Sequence, residues 1–226
     1  MLIVSATPFS FIATGFAIVA LILGVIAVVS LRLDKKRANA LRIFSKTNGL
    51  IFKEKIDSPA DIGLPNAVVF QQGRGRKLTS AMVGEIAGSQ VCVLDHRYSI
   101  GSGSSGGTIQ QMVVAIEIRG KRLPDFTLAL EDHLQVTGKA IHIEESLSAE
   151  FPDFSDRYRL YGNDEFATRA LFTPRMTELC VANRIYCIES CQGWLIVIEE
   201  DLRPTGDKLQ KRIESAFGYL TELDFE

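Results

Sequence analysis

The chain has 226 residues, 46% of them apolar, with 25 Lys and Arg set against 27 Asp and Glu. That length and apolar content support one good core with an appendage and exclude a disordered or fibrous chain. The near-neutral balance excludes a broad phosphate-tracking surface, and the basic knot Arg74, Arg76, Lys77 is too small to supply one, so no nucleic-acid partner is expected.

Charge is absent from Leu2 to Leu31, and Phe9 to Leu31 reads FSFIATGFAIVALILGVIAVVSL. A helix needs about 20 apolar residues to cross about 30 Å of hydrocarbon, so this stretch predicts a transmembrane helix within an anchor over residues 1–33. A cleaved secretory signal needs basic residues before its apolar run; here Arg32, Lys35, Lys36 and Arg37 come after it. Basic residues on the C-terminal flank predict a single-pass protein of the inner (plasma) membrane, N-terminus outside and the bulk of the chain cytoplasmic. Gly15 and Gly24 are too far apart for a Gly-x-x-x-Gly association face.

Residues 34–48 place Ala38, Leu41, Ile43 and Phe44 among cations ahead of Gly49, which predicts a juxtamembrane helix stopping there. The folded body then covers residues 49–226. Lys53 to Gly75 carries Pro59, Gly63, Pro65, Gly73 and Gly75 and reads as turns around a short strand Ala67–Phe70. Thr79–Ala87 and Gln90–Tyr98 alternate around Gly88-Ser89, a glycine-first pair suited to a type II′ hairpin.

Next in the chain is IGSGSSGG, a glycine-rich stretch that invites a phosphate-loop reading. Such loops need a helix after them, whose first amides and dipole hold the anion. The next residues, TIQQMVVAIEI, are alternating and β-branched, and the Walker lysine is missing. The loop therefore joins two paired strands. Thr108–Arg119 puts Met112, Val114, Ile116 and Ile118 on one face and Val113 and Ala115 on the other, the mark of a central strand. Phe126–Leu130, Ala140–Ile143 and Tyr158–Tyr161 are further strands.

Asp164 offers an N-cap to a helix with Phe166, Ala167, Ala170 and Leu171 on one face. Thr173-Pro174 opens a second helix with Met176, Leu179 and Cys180 inward. Arg184–Ser190 and Trp194–Glu200 form a hairpin around Cys191-Gln192-Gly193. Thr205–Leu223 aligns Leu209, Ile213, Ala216, Phe217, Leu220 and Leu223 on one stripe. Strands followed by helices, without strand-helix-strand alternation, give an α+β fold: an antiparallel sheet packed by a C-terminal amphipathic helix and preceded by the transmembrane helix. The order also permits a pleckstrin-homology-like split barrel, against which the helices at Asp164–Val181 speak.

Cys92, Cys180, Cys187 and Cys191 are read as reduced structural thiols, and His96, His133 and His142 stand singly, so neither metal nor cofactor is expected. Asp95-His96 suggests acid-base work, but neighbours on a strand face opposite ways, which leaves His96 with Cys92, Leu94 and Tyr98. Asp164-Glu165 fits helix capping and Glu144-Glu145 a polar loop. No Gly-x-Ser-x-Gly or His-Glu-x-x-His motif is present.

The stretches FSDRYRLYGNDEFATRALFTPRM (Phe154–Met176), GRKLTSAMVGEIAGSQVCVLDHRYS and LPDFTLALED carry a resemblance. Together they resemble an uncharacterised family of bacterial proteins that join an N-terminal membrane segment to a cytoplasmic α+β domain, over most of Gly49–Leu223. The shared pattern is an apolar strand, a Tyr before a Gly/Ser loop, Leu-Pro-x-Phe, Phe-Ser-x-x-Tyr and Leu-Phe-Thr-Pro. The resemblance implies topology and fold, and no catalytic residues. This chain departs from it at Asp95-His96-Arg97-Tyr98, where the family has an aromatic before the Tyr.

These observations predict a membrane-anchored cytoplasmic module that binds a protein or lipid and is not catalytic. Its partners are the bilayer, through the N-terminal helix, and a membrane protein or anionic lipid. The alternative is a membrane-tethered hydrolase or sensor enzyme using His96, Tyr98 and the loop Ser99–Gly107. An enzyme needs convergent polar groups, so a fold that separates Asp95, His96 and Glu117 removes that version.

Overall fold

In the computed structural model, helix α1 runs without a break from Phe9 to Thr47. The structure describes residues 9–101, 106–120, 122–131, 140–141, 152–200 and 203–223, with the side chains of α1 from Ile18 on. One helix therefore covers both the expected span and the expected juxtamembrane helix. It stops where the sequence says it should: Gly49 takes φ +70°, and the Leu50 N–H donates back to the Ser45 carbonyl at 2.8 Å. That six-to-one bond closes a Schellman turn. Among the described residues no helix is long and apolar enough to cross a membrane, since Arg32, Asp34 and Lys35 interrupt the described part of α1.

The chain forms two compact units, Met1–Ala40 and Leu41–Glu226. In the second, nine strands among the described residues make one antiparallel sheet: β1 (Ile51–Ile56), β2 (Arg74–Ile86), β3 (Ser89–Ile100), β4 (Gly107–Glu117), β5 (Phe126–Leu130), β6 (Ala140–Ile141), β7 (Tyr158–Gly162), β8 (Ile185–Cys191) and β9 (Trp194–Glu199). Their order across the sheet is β1-β2-β3-β4-β9-β8-β5-β7-β6. Among the described residues the sheet is open, with β1 and β6 at its edges, and is not the split barrel that the element order permitted. The helices of this unit are α2 (Pro152–Arg157), α3 (Glu165–Leu171), α4 (Pro174–Ala182) and α5 (Asp207–Glu222).

The strand β4 explains how both faces come to be covered. Met112, Val114 and Ile116 pack with Met176, Cys180, Leu209, Ile213, Ala216 and Leu223 of the helical layer. Val113 and Ala115 face the other way, against Ile62, Leu64, Ala67, Val69 and Phe70. Leu209, Ile213 and Leu223 are buried; at about 1.5–3 kcal/mol per large aliphatic side chain they contribute on the order of 5–9 kcal/mol to docking the final helix. The predicted amphipathic helix thus closes one face of the sheet. The second face is covered by a strap, two short 3-10 turns at Pro59–Ile62 and Val68–Gln71.

Several local expectations change. Ala67–Phe70 is not a strand: its last residues open the 3-10 turn Val68–Gln71, because Val68 and Val69 donate to a side chain instead of a ladder. The region read as turns from Lys53 holds most of the edge strand β1, whose mostly exposed residues leave no apolar alternation to read. The first hairpin turns at Ala87-Gly88 and not at Gly88-Ser89. Ile86 pairs with Ser89, and φ of +52° and +80° at the two central residues make a type I′ turn, whose twist suits the strands. Phe166 is 88% exposed, so α3 packs through Leu171 and Thr168. Its cap is as expected, with the Asp164 carboxylate accepting from the Ala167 N–H at 3.0 Å. The segment Ala140–Ile143 is paired at Ala140–Ile141, and Glu144-Glu145 lies outside the described residues.

Candidate functional site

The basic flank comes first in the chain. Arg32, Lys35 and Lys36 are exposed on α1, while Arg37 is only 8% exposed. Upstream of Arg32, Ile18, Val19, Leu21, Ile22, Leu23, Val25, Ile26, Val28, Val29 and Leu31 turn their apolar side chains outward, as does Leu33 just after it, each about half exposed or more. A helix that is apolar on all sides and finds no core is built for an apolar solvent or an apolar partner.

The second site lies under the end of the strap. His96 on β3 is directly opposite Gln111 on β4, and Tyr98 lies two residues further along β3, so the three side chains share one face. All are buried, at 1%, 2% and 1% exposure for His96, Gln111 and Tyr98. Phe70 of the strap meets the His96 ring edge-on at 5.8 Å, and the Tyr98 ring lies 5.0 Å from it at a tilt of 33°. Gly73 closes the corner so tightly that a Cβ there would sit 2.5 Å from the Ser99 carbonyl and 2.6 Å from Tyr98 Cδ2. Within this patch both His96 ring nitrogens, the Tyr98 hydroxyl and the Gln111 amide nitrogen have no hydrogen-bond partner among the described residues.

Burial sets the protonation states. It pushes His96 down to about 4, with the Arg76 charge adding to the effect, so the imidazole is neutral at physiological pH. Burial likewise pushes the Tyr98 phenol up to about 12. The patch therefore offers only uncharged donors and acceptors.

Asp95 faces the helical layer, 3.7 Å from the Arg203 guanidinium, which also donates to Gln110 Oε1 at 2.7 Å. Glu117 pairs with Arg119 at 3.0 Å and stands opposite Trp194. From Met112, the partner of Asp95, it lies ~17 Å along the strand at ~3.3 Å per residue. Asp95, His96 and Glu117 do not converge. Of the groups in the alternative site, His96 and Tyr98 do lie together, and residues 102–105 of its loop lie outside the described residues.

The latch of the strap was not legible in the sequence. Glu189, on β8, accepts the Val68 N–H at 2.7 Å and the Val69 N–H at 3.0 Å through its two carboxylate oxygens. Burial pushes this acid up to about 6, while the two N–H donors pull the other way and Asp125 adds to the rise. An acidic residue in the middle of RIYCIESC was the available signal.

The cysteines sit where structure needs them. Cys187 is buried in β8 and Cys191 ends that strand at the hairpin tip. Burial raises every thiol, Cys92 to about 12, Cys191 to about 11, and Cys180 and Cys187 well up, so none carries thiolate at neutral pH. Among the described residues no three His, Cys, Asp or Glu side chains gather as a metal site.

With this geometry in view, one solved structure has a similar fold, the crystal structure of the mycobacterial trehalose monomycolate transport factor A, TtfA. The likeness is one of fold. Its TM-score is 0.55 at 12% sequence identity, covering 82% of this chain and 91% of that one. No family model matches the sequence, and no curated protein does.

Proposed function

We propose that this chain is a single-pass, membrane-anchored module that binds lipid or a membrane protein and performs no catalysis. The observation that carries the reading is the row of outward apolar side chains from Ile18 to Leu33, ending at the exposed cations Arg32, Lys35 and Lys36. Burying that row in hydrocarbon removes its exposure to water, and the unbroken charge-free sequence back to Phe9 supplies the rest of the ~20 residues a span requires. The cations then rest against anionic headgroups on the cytoplasmic side, each adding about 1 kcal/mol of attraction. Arg37, mostly buried, adds less to that contact. Residues 1–33 are the anchor, 34–48 the juxtamembrane part of the same helix, and 49–226 the cytoplasmic body.

A lipid-handling role is supported at the level of fold by the similarity to a protein described as a trehalose monomycolate transport factor. The separation of Asp95, His96 and Glu117 supports binding over catalysis. Alkaline carbonate extraction of native membranes, followed by protease treatment of intact and inverted vesicles, tests the reading. The full chain is expected to stay in the pellet, with its C-terminal body cut only in inverted vesicles. Release by carbonate would overturn the anchor, and cleavage in right-side-out vesicles would overturn the orientation.

A further inference from the structure

Four polar atoms within one patch of core stand without partners among the described residues: His96 Nδ1 and Nε2, Tyr98 Oη and Gln111 Nε2. A buried polar group left unpaired costs about 1–3 kcal/mol, so keeping all four is expensive for a domain of ordinary stability. Apolar side chains of similar shape would fill the same space without that cost. Groups kept at such a cost call for an explanation, and a bound hydrogen-bonding partner is one.

The corner above them is where the cover leaves regular strand pairing. The strap itself is held by Ile62, Leu64, Val69 and the Glu189 latch, but beyond Phe70 the backbone passes through Gly73 and Gly75, at φ +61° and +62°. There the pairing of β2 with β3 slips: Arg74 is opposite Ser99 and Lys77 opposite Arg97, leaving Gly75 and Arg76 against Tyr98 alone. A bulge interrupts the ladder and bends the strand, and bulges cluster where strands serve a site. Two permissive glycines beside a broken ladder give the corner a hinge directly over Tyr98.

We propose that the corner Phe70–Gly75 is the mouth of a small binding site in which His96, Tyr98 and Gln111 receive one uncharged hydrogen-bonding group, a hydroxyl or primary amide. The three receiving side chains are uncharged, so a phosphate or carboxylate buried among them meets no opposite charge there, and the cations Arg74 and Arg76 stand outside at the exposed rim. Neutral imidazole offers one donor and one acceptor, the phenol one of each, and the amide nitrogen donors, which together match a hydroxyl that both gives and takes a proton. Such a group comes from a free polyol or from the head of an uncharged lipid. This goes beyond the anchoring reading and uses different residues.

The test monitors the imidazole nitrogens of His96 by NMR in full-length protein labelled with 15N at histidine and held in phosphatidylcholine bicelles; His133 and His142 are the internal controls. The probes are glycerol, dioctanoylglycerol, inorganic phosphate and dioctanoylphosphatidic acid. A saturable shift confined to His96 is expected with dioctanoylglycerol, glycerol or both. Response to glycerol assigns a free polyol, and response to dioctanoylglycerol alone assigns a lipid head. Tyr98→Phe and Gln111→Leu should each weaken the response about threefold to tenfold, the loss of one hydrogen bond. No His96 shift with either uncharged probe, a shift with the phosphates alone, or an unchanged affinity in both variants overturns the site. Carbonate extraction reads α1 alone, so the anchor and this site fail separately.

Discussion

Replacing Glu189 with Gln keeps the size of the side chain and one of its two acceptor oxygens and removes its titration; the lost second bond costs the variant the same at every pH, so the change with pH isolates what this one carboxylate imposes on stability. Its pKa rises from an ordinary 4.5 to about 6 on folding. At 1.36 kcal/mol per pH unit that difference is worth about 2 kcal/mol. Because the folded value is the higher one, the folded chain holds more protons between these limits. The stabilisation is fully present below about 4.5 and is lost as pH rises through about 6. His96 works in the opposite sense over an overlapping range: its folded value is the lower, so its contribution is present above 6.5 and lost as pH falls toward about 4. Only the difference between wild type and Glu189→Gln therefore reports the latch. Urea unfolding of the full chain in phosphatidylcholine bicelles, read by the single tryptophan, Trp194, gives that difference at each pH. Wild type should lose about 2 kcal/mol relative to the variant between pH 4 and pH 7.5. Equal slopes, or a wild type that gains on the variant as pH rises, would refute the reasoning, the latter by showing that the Val68 and Val69 N–H bonds outweigh burial.

Three further outcomes are expected from the same unfolding measurement. Arg212 and Glu199 pair at 2.6 Å with each side chain 9% exposed, so Arg212→Met, which takes the cation away from a buried carboxylate, should cost about 3–5 kcal/mol. Ser215, which donates to the same carboxylate at 2.7 Å, softens the loss without cancelling it. Gly73→Ala drives a methyl into the Ser99 carbonyl at a positive φ and should cost about 1–3 kcal/mol, whereas an unchanged midpoint would show that the corner is loosely packed. Asp164→Ala removes the cap of α3 and should cost about 1 kcal/mol.

The sequence was informative wherever local chemistry decides structure. Gly49 ends α1, Asp164 and Thr173 cap their helices, and the two-sided apolar pattern of TIQQMVVAIEI places β4 between β3 and β9. It was misleading where long-range contacts decide. Val68 and Val69 have strand propensity, yet their amides are taken by Glu189 and the chain coils into a 3-10 turn. Phe166 has a core side chain and an exposed position. Of the candidate site, His96 and Tyr98 were visible as neighbours on one strand face. Gln111 was hidden, because which residue of β4 faces His96 depends on the pairing register across the glycine-rich loop.

The latch also has a history during synthesis. Val68 leaves the ribosome 121 residues ahead of its partner Glu189. At ~5–20 residues per second the wait is roughly 6–24 s. Through that interval Ile62, Leu64, Val69 and Phe70 have no completed sheet to cover, and the strap is a short apolar segment without a host. The order of assembly is thus imposed by topology: the C-terminal hairpin arrives late and only then fixes what was made early.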